Sequence, residues 1–266
     1  MSGRSARILI PLAVATAALM SVPAHSQWDS YERMTAESLK SALARTAGAP
    51  AQLTGKNFSN LDLQGVDFRG ANLSSSVFNG AKLMHAKLDH TNLTVSFFEH
   101  ADLSEASLAG AMMFSVQLAG ANAHHANLSG ARLIGDLRRI DLSSANLTRV
   151  NAAADMKNQS MGLMNTRMVN AKAAGADFSN SDFSRADFSF SDLSGARMHG
   201  TQLVRADLSG TTLAGADLTE ANLRDAQIVD TDFSKANLTG ADFTGATFRG
   251  ARGLDTAIKT GARGLP

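Results

Sequence analysis

The chain has 266 residues, with 25 basic and 24 acidic side chains and no cysteine. This near-balance of charge argues against a nucleic-acid-binding protein, because neutralising phosphates requires a basic surface. The absence of cysteine excludes disulfides and any lipid attached through a thiol. A hydrophobic content of 44% is ample for a core.

Residues 1–26 have the pattern of an export signal. Arg4 and Arg7 form a positively charged start, and the apolar run Ile8–Met20 follows them. Small residues then allow cleavage after Ala24 or after Ser26. We therefore expect a periplasmic or secreted protein.

A membrane anchor is the alternative for the same segment. A helix over the apolar run would be about 20 Å long, whereas a bilayer core needs about 30 Å, and Pro11 interrupts it. No stable anchor is therefore expected. Cleavage removes two of the 25 basic residues and no acidic one, so the mature chain carries 23 basic against 24 acidic side chains.

Residues 27–50 precede the main pattern of the chain. Asp29–Leu43 is predicted to form an amphipathic helix, with a capping box between its first residue and Glu32. Gly48 and Pro50 end it. We expect this helix to cap the fold, and a partner-binding helix is the alternative.

A five-residue repeat dominates the rest of the chain. From Leu53 to Leu133 a central position, labelled i, recurs every fifth residue and is almost always Leu or Phe. Position i−2 is small in most units, as in Ala71 and Ala101. Period five matches neither a helix nor a flat strand, so it predicts a solenoid with i and i−2 inside. The other three positions are expected to point outward and to vary freely.

Two defects interrupt the repeat. Near residues 134–139 one residue is missing, because Leu137 follows Leu133 as the next central residue. Near residues 153–162 eleven residues replace ten, and a third block is predicted to start at Leu163. Departures from local regularity are where a repetitive scaffold most often carries function.

The units Ala71-Asn72-Leu73, Ala101-Asp102-Leu103 and Ala206-Asp207-Leu208 resemble the pentapeptide-repeat family. The resemblance covers residues 51–250. It implies an all-β fold, a right-handed quadrilateral β-helix with four units per coil. About 10 coils at the strand spacing of about 4.8 Å would make a rod roughly 45–50 Å long. Residues 251–266 leave the period and are expected to form a C-terminal tail or loose cap.

Four units per coil would stack residues twenty apart. His85, Glu105 and His125 would then form one column, and such side chains can ligate Zn²⁺ or Cu²⁺ if they converge. Outward side chains on a flat face run parallel, however, so we favour solvated polar residues and predict no metal and no cofactor.

The two defects supply the interaction candidates. Arg138 and Arg139 at the first defect are candidates for an anion or partner contact, or they lie in solvent. Met156, Met161 and Met164 at the second could bind Cu(I) through soft thioethers. Methionine is equally the adaptable filler of an irregular core, which we favour.

The sequence contains no catalytic motif and predicts no enzyme. We expect an exported scaffold that binds an unidentified protein or cell-envelope component through flat faces, and a homodimer is one form it can take. Some members of the family are cytosolic, acidic, dimeric DNA mimics that bind gyrase, which is the second hypothesis. The predicted export signal and the mature net charge of −1 count against it. A metal-binding periplasmic protein is the third hypothesis.

Overall fold

The computed structural model describes residues 28, 30–44, 49–154 and 165–266. The chain divides into a unit Met1–Ser30 and a unit Tyr31–Pro266, which contains the described helix and strands. Its helix and strands, in chain order, are β1 Glu32–Arg33, α1 Ala36–Ala44, β2 Lys56–Asn57, β3 Met112–Gln117, β4 Arg132–Asp136, β5 Gln227–Val229 and β6 Thr247–Arg249.

Single parallel bridges between repeats, rather than long strands, hold the solenoid together. Away from the two defects and the C-terminal end, an outward i−1 residue pairs with the i−1 residue twenty positions later, as Gln52 does with Asn72 and Asn72 with Asn92. In each unit the i−1 N–H donates to the preceding coil, and the i N–H donates to the next coil. For example, the Leu73 N–H lies 2.9 Å from the Asn92 carbonyl oxygen.

Twenty residues therefore complete one circuit, and four units supply four sides. We number the sides by the i−1 residue of the first coil. Side 1 starts at Gln52, side 2 at Asn57, side 3 at Asp62 and side 4 at Asp67. The two residues that follow each central residue form the corner leading to the next side.

The core consists of the central residues stacked along the axis, with small i−2 residues beside them. The Phe58 and Phe78 rings stack with centroids 4.7 Å apart, and the Phe78 and Phe98 rings with centroids 4.6 Å apart. Where i−2 is Ser or Thr, its buried hydroxyl usually donates to a carbonyl of the preceding coil, as Ser76 Oγ does to Leu53 O at 2.9 Å. The Thr91 hydroxyl instead donates to Leu88 O of its own coil at 2.6 Å. The core is therefore closely packed, and the buried hydroxyls within it are hydrogen-bonded.

The outward positions do not vary freely, which corrects the expectation from sequence. At i−1 an Asp or Asn carboxyl or amide oxygen accepts the backbone N–H of i+1, as Asp102 does from Ser104 at 3.1 Å and Asp207 from Ser209 at 2.9 Å. This Asx turn starts the corner. It explains why Asp and Asn recur at that position.

Position i+2 has positive φ at nearly every corner, which explains the recurring glycine of the motif. At several corners where another residue stands there, its side chain lies close to the glycine of the next coil. The His100 Nδ1 atom lies 2.7 Å from where a Cβ on Gly120 would be. At these corners a side chain occupies the space that a Cβ on the next coil would need.

The N-terminal helix is shorter than predicted, because β1 precedes it. Glu32 and Arg33 pair with Lys56 and Asn57 of β2, and Met34 then enters the core as a central residue would. The capping box is formed by Thr35 and Ser38, whose backbone N–H groups donate to each other's hydroxyls at 2.9 and 3.1 Å. Leu39 of α1 is buried in the same core.

The first defect straightens one corner. Strand β4 runs from side 1 to side 2 without a turn and pairs with β3, in which Ser115 bulges out of register. A Cβ on Gly135 would lie 2.0 Å from the Val116 carbonyl oxygen, so only glycine fits there. The missing residue thus belongs to the corner, and both neighbouring sides keep their register.

The second defect lies between Ala154 and Asn165, and residues 155–164 are outside the described residues. Asn151 on side 1 pairs directly with Asp182 on side 1, and Asp136 pairs with Arg167 on side 2. Leu163, where the third block was predicted to start, lies outside the described residues. The first described central residue after the defect is Met168.

Residues 251–266 do not leave the ladder, contrary to the expectation of a tail. Arg252 pairs with Asp232, Ile258 with Asn237 and Arg263 with Asp242. The last two pairs span twenty-one residues instead of twenty, which is why the five-residue pattern is hidden in the sequence.

Candidate interaction surfaces

Of the three candidate metal ligands in one column, only two side chains approach each other. His85, Glu105 and His125 occupy successive i+2 positions at the corner after side 3, all with positive φ. His85 Nδ1 lies 3.5 Å from Glu105 Oε2, and both side chains are more than half exposed. The His125 ring instead lies against His124, with centroids 3.9 Å apart. In the described part of the chain, no three His or carboxylate side chains come together to hold a metal ion.

Arg138 forms an ion pair within its own repeat unit. Its Nη2 lies 2.6 Å from Asp136 Oδ2, and its backbone N–H also donates to that carboxylate. Burial alone would raise the pKa of Asp136, but the hydrogen bonds from Arg138 prevail and hold the pKa below its usual value. Arg138 therefore stabilises the turn after β4 and is poorly placed for an external anion.

Arg139 is exposed and occupies the corner with φ +59°. It lines an open depression of about 490 Å³, together with Asn122, His124, Asp141 and Lys172. Burial alone would raise the pKa of Asp141, but hydrogen bonds from Ser143 and the nearby Lys172 and His124 lower it. The carboxylate and the lysine thus balance each other within the depression.

Met156, Met161 and Met164 lie outside the described residues, but the points where the chain leaves and rejoins the ladder are described. Arg132 Nη1 donates to the carbonyl oxygens of Asn151 and Ala153 at 3.0 and 2.9 Å. The buried Thr166 Oγ1 lies 2.9 Å from the carbonyl oxygens of both Leu133 and Ala152. Both ends of the excursion are therefore fixed to the core.

Charged side chains on the later coils are arranged in alternating ladders. On side 4, Arg197 Nη2 lies 2.6 Å from Asp177 Oδ2. Burial alone would raise the pKa of Asp177, but hydrogen bonds from Ser179 and the Arg197 guanidinium lower it. On side 2, by contrast, Asp187 and Asp207 stack as direct neighbours of like charge.

One part of the surface carries no charge, and sequence reasoning missed it. We call it the side 1 strip, defined as positions i−1, i+1 and i+2 of the units centred on Leu53, Leu73, Leu93 and Met113. All of these positions are uncharged. In the same coils, side 2 and its corner carry only Glu99. Side 3 and its corner carry Asp62, Lys82, Asp102 and Glu105, and side 4 and its corner carry Asp67, Arg69, Lys87 and Asp89. Comparing residues twenty apart along the sequence would have revealed this segregation.

The model of the family described as pentapeptide repeats matches the chain in eight copies, over residues 51–89, 81–116, 163–200, 201–240 and 216–252. The chain belongs to the pentapeptide-repeat family. Pentapeptide-repeat proteins fold as quadrilateral β-helices and are generally non-enzymatic structural or binding proteins.

Solved structures of the family resemble this pentapeptide-repeat chain to different degrees. HetL, a pentapeptide repeat protein involved in heterocyst differentiation regulation from the cyanobacterium Nostoc sp. strain PCC 7120, is 28% identical. That match covers 86% of this chain and 98% of HetL, with a TM-score of 0.51. Full-length QnrB1, a plasmid-mediated fluoroquinolone resistance protein, is 18% identical over 80% of this chain and 92% of its own, with a TM-score of 0.43. No curated protein sequence matches the chain significantly.

The described residues of this pentapeptide-repeat protein include no helix that is both long and apolar enough to cross a bilayer. The predicted signal segment, residues 1–26, lies outside the described residues.

Proposed function

We propose that this protein is an exported, non-catalytic scaffold that binds a protein or cell-envelope component through one of its flat sides. The observation that carries the proposal is the fixed geometry of the sides. Each Asx turn holds an i−1 side chain in place, and the stacking repeats it every twenty residues. Such an array presents side chains at regular intervals to an extended partner.

The proposed solenoid is right-handed, has about 10 coils, and is closed by α1 at its N-terminal end. Three observations support this role for α1: Met34 fills a central position below Phe58, Leu39 belongs to the core, and β1 occupies the edge of β2. An end covered in this way exposes neither apolar side chains nor an unpaired strand.

Export is tested by cell fractionation with N-terminal sequencing of the mature protein. The expected result is a periplasmic or secreted chain that begins near His25 or Gln27. A cytosolic chain that retains Met1 would overturn the proposal and favour a gyrase-binding protein, for which an assay of DNA supercoiling is the next step.

Envelope binding is tested by co-sedimentation of the purified mature protein with isolated cell envelopes. Folded protein is expected in the pellet, and the same protein unfolded by heat serves as the control for non-specific adsorption. If folded protein stays in the supernatant at every envelope concentration, the envelope part of the proposal fails.

A further inference from the structure

We propose that the exposed ring of Phe190 and the carboxylates beside it bind an arginine-containing segment of a partner protein. The inference rests on the proposed function, because it names the surface that a protein partner would use and the chemistry of that partner. Phe190 occupies the corner between sides 2 and 3 and is 66% exposed. It is the most exposed large apolar side chain among the described residues.

The backbone at Phe190 is strained, and the core does not account for that strain. Its φ is +60°, in the left-handed region that a bulky side chain disfavours. Of the other described corners that lack glycine, all carry a polar or charged residue except the one at Val95. The core contains the neighbouring Phe188 but not Phe190. A strained and exposed residue of this kind indicates a role in recognition.

The ring is supported by the next coil. Phe190 Cδ1 lies 2.6 Å and Cε1 2.9 Å from where a Cβ on Gly210 would be, so the ring rests against this glycine. The backbone N–H of Phe190 also donates to Ser209 O at 2.8 Å. The corner is therefore fixed while most of the ring faces solvent. An aromatic face attracts a cation that approaches within about 6 Å of its centroid.

Three carboxylates lie beside the ring. Asp187 and Asp192 stand three residues before and two residues after Phe190, and Asp207 stacks on Asp187 in the next coil. In each of them Oδ1 accepts the backbone N–H two residues later, at 2.9 to 3.0 Å. This bond fixes the carboxylate and leaves its second oxygen, Oδ2, for an external donor.

No described basic side chain forms an ion pair with these three carboxylates. Arg167 and Lys172 precede Asp187 and Asp192 in their columns, but neither is among the described ion pairs. A guanidinium group can donate to two carboxylate oxygens at once and can stack on an aromatic ring. The corner therefore offers both groups that an arginine side chain uses.

The acidic surface around the corner extends over three complete coils, residues 181–240. In these coils sides 2 and 3, with the corners that follow them, contain one basic residue, Lys235, and five acidic ones: Asp187, Asp192, Asp207, Asp230 and Asp232. Sides 1 and 4 of the same coils, with their corners, carry four acidic and four basic residues. The excess of negative charge thus lies on the two sides that meet at Phe190, which favours a basic partner.

The height of the acidic surface sets the length of the segment that fits it. Arg167 and Lys172 end it in the preceding coil, and Arg249 and Arg252 end it in the following one. Three coils at about 4.8 Å are roughly 14 Å tall, which is the length of about four residues of extended chain. A short basic segment that crosses the corner therefore covers it.

The test is a titration of the mature protein with a fluorescent hexapeptide of alternating arginine and glycine, followed by anisotropy. Matched peptides carry lysine or citrulline in place of each arginine, and citrulline keeps the shape of arginine without its charge. The arginine peptide is expected to bind most tightly and the citrulline peptide least, with an affinity that falls as salt rises. The inference is overturned if the arginine peptide does not bind, or binds no more tightly than the citrulline peptide.

Phe190→Asn tests the ring, because Asn170 occupies the same corner one coil earlier. This variant should bind the arginine peptide about threefold or more weakly and should lose the preference for arginine over lysine. Phe190→Tyr keeps an aromatic face and should bind as the wild type does. Unchanged binding in Phe190→Asn would overturn the inference.

Asp207→Asn tests the carboxylates. Asparagine keeps the turn acceptor, so only the charge changes, and thermal melts check that the variant folds. Asp217→Asn is the matched control, since it removes the same charge from a turn on side 4. The first variant should weaken binding of the arginine peptide about threefold and the second less than about 1.5-fold. Equal losses would show a diffuse attraction to the whole surface, and the inference fails.

Three further outcomes separate the inference from the proposed function. If the wild type co-sediments with envelopes but does not bind the arginine peptide, the scaffold function stands and the assignment of the corner fails. If it binds the peptide as described but is not exported, the assignment stands and the proposed export fails. If Phe190→Asn abolishes self-association in analytical ultracentrifugation, a second copy occupies the corner and the inference fails.

Discussion

The two defects of the solenoid show which part of the repeat is adjustable. At the first, one residue is lost and β4 cuts straight across the corner between sides 1 and 2. At the second, the chain leaves the ladder after Ala154 at the same corner and returns to side 2 at Arg167. A deletion and a long insertion thus have the same consequence, because every i−1 residue on either side still pairs within its own column. The sides keep their register, and changes in the number of residues are confined to the corners.

The largest effect is expected where a side, and not a corner, is damaged. Leu208 is fully buried at a central position far from both defects. Leu208→Asp would bury an unpaired charge, at a cost of roughly 4–5 kcal/mol or more, and should prevent folding. The matched change Asp207→Asn keeps the turn acceptor and should leave the melting temperature nearly unchanged. A soluble, cooperatively melting Leu208→Asp protein would show that the inward assignment is wrong.

Central positions were also what the sequence predicted best. A strict period of five with alternating large and small residues allows only i and i−2 to point inward, and the burial of Leu73 and Ala71 follows that pattern. The roles of Asp or Asn at i−1 and of Gly at i+2 were not predicted. They serve a turn bond and a positive φ, which are properties of the backbone that period and hydrophobicity do not reveal.

The candidate sites were harder to predict for a physical reason. Stacking places Glu105 above His85, but whether side chains in one column converge depends on corner rotamers, and His125 turns to His124 instead. The side 1 strip was hidden because its members lie twenty residues apart, so no local window of sequence contains it.

The straightened corner is expected to tolerate substitution less well than an ordinary one. In Gly135→Ala the new Cβ would lie 2.0 Å from Val116 O and force β3 and β4 apart, which should cost about 3 kcal/mol. Gly130→Ala is the control, because a Cβ there meets nothing within 4 Å and only the positive φ is strained, at about 1 kcal/mol. Chemical denaturation measures both. Equal losses would contradict the close approach of the two strands.

The ion pair on side 4 tests how much the charged ladders contribute. The pKa of Asp177 is lowered in the folded state, so its stabilisation is present above the usual aspartate value of 3.8 and is lost as pH falls through the folded value. Arg197 is 69% exposed, so the contribution should be at most about 1 kcal/mol. The melting temperature, measured from neutral to acidic pH, should therefore fall below about pH 4. In Asp177→Asn this fall should be smaller. If the melting temperature of Asp177→Asn falls with pH as steeply as that of the wild type, other groups cause the acid sensitivity.

Ordinary corners carry strain that glycine can relieve. Val95 is β-branched and has φ +59°, a conformation that costs such residues most. Val95→Gly is expected to raise the free energy of unfolding by a few tenths of a kcal/mol to about 1 kcal/mol, since relief of strain exceeds the added chain entropy. Ser75→Gly at the same corner, one coil earlier, should gain less. A loss of stability in Val95→Gly would show that its side-chain contacts outweigh the strain.

The account's central claim is that the columns keep their register whatever the corners do, and one deletion tests it most directly. Sixteen residues separate Ala152 from Met168, where a regular unit needs five, so removal of the eleven residues 154–164 should restore an unbroken ladder with Asn165 at the corner. The measurement is the melting temperature of this variant against wild type. The account predicts that the variant melts cooperatively at or above the wild-type temperature. Loss of folding in the eleven-residue deletion would contradict the claim.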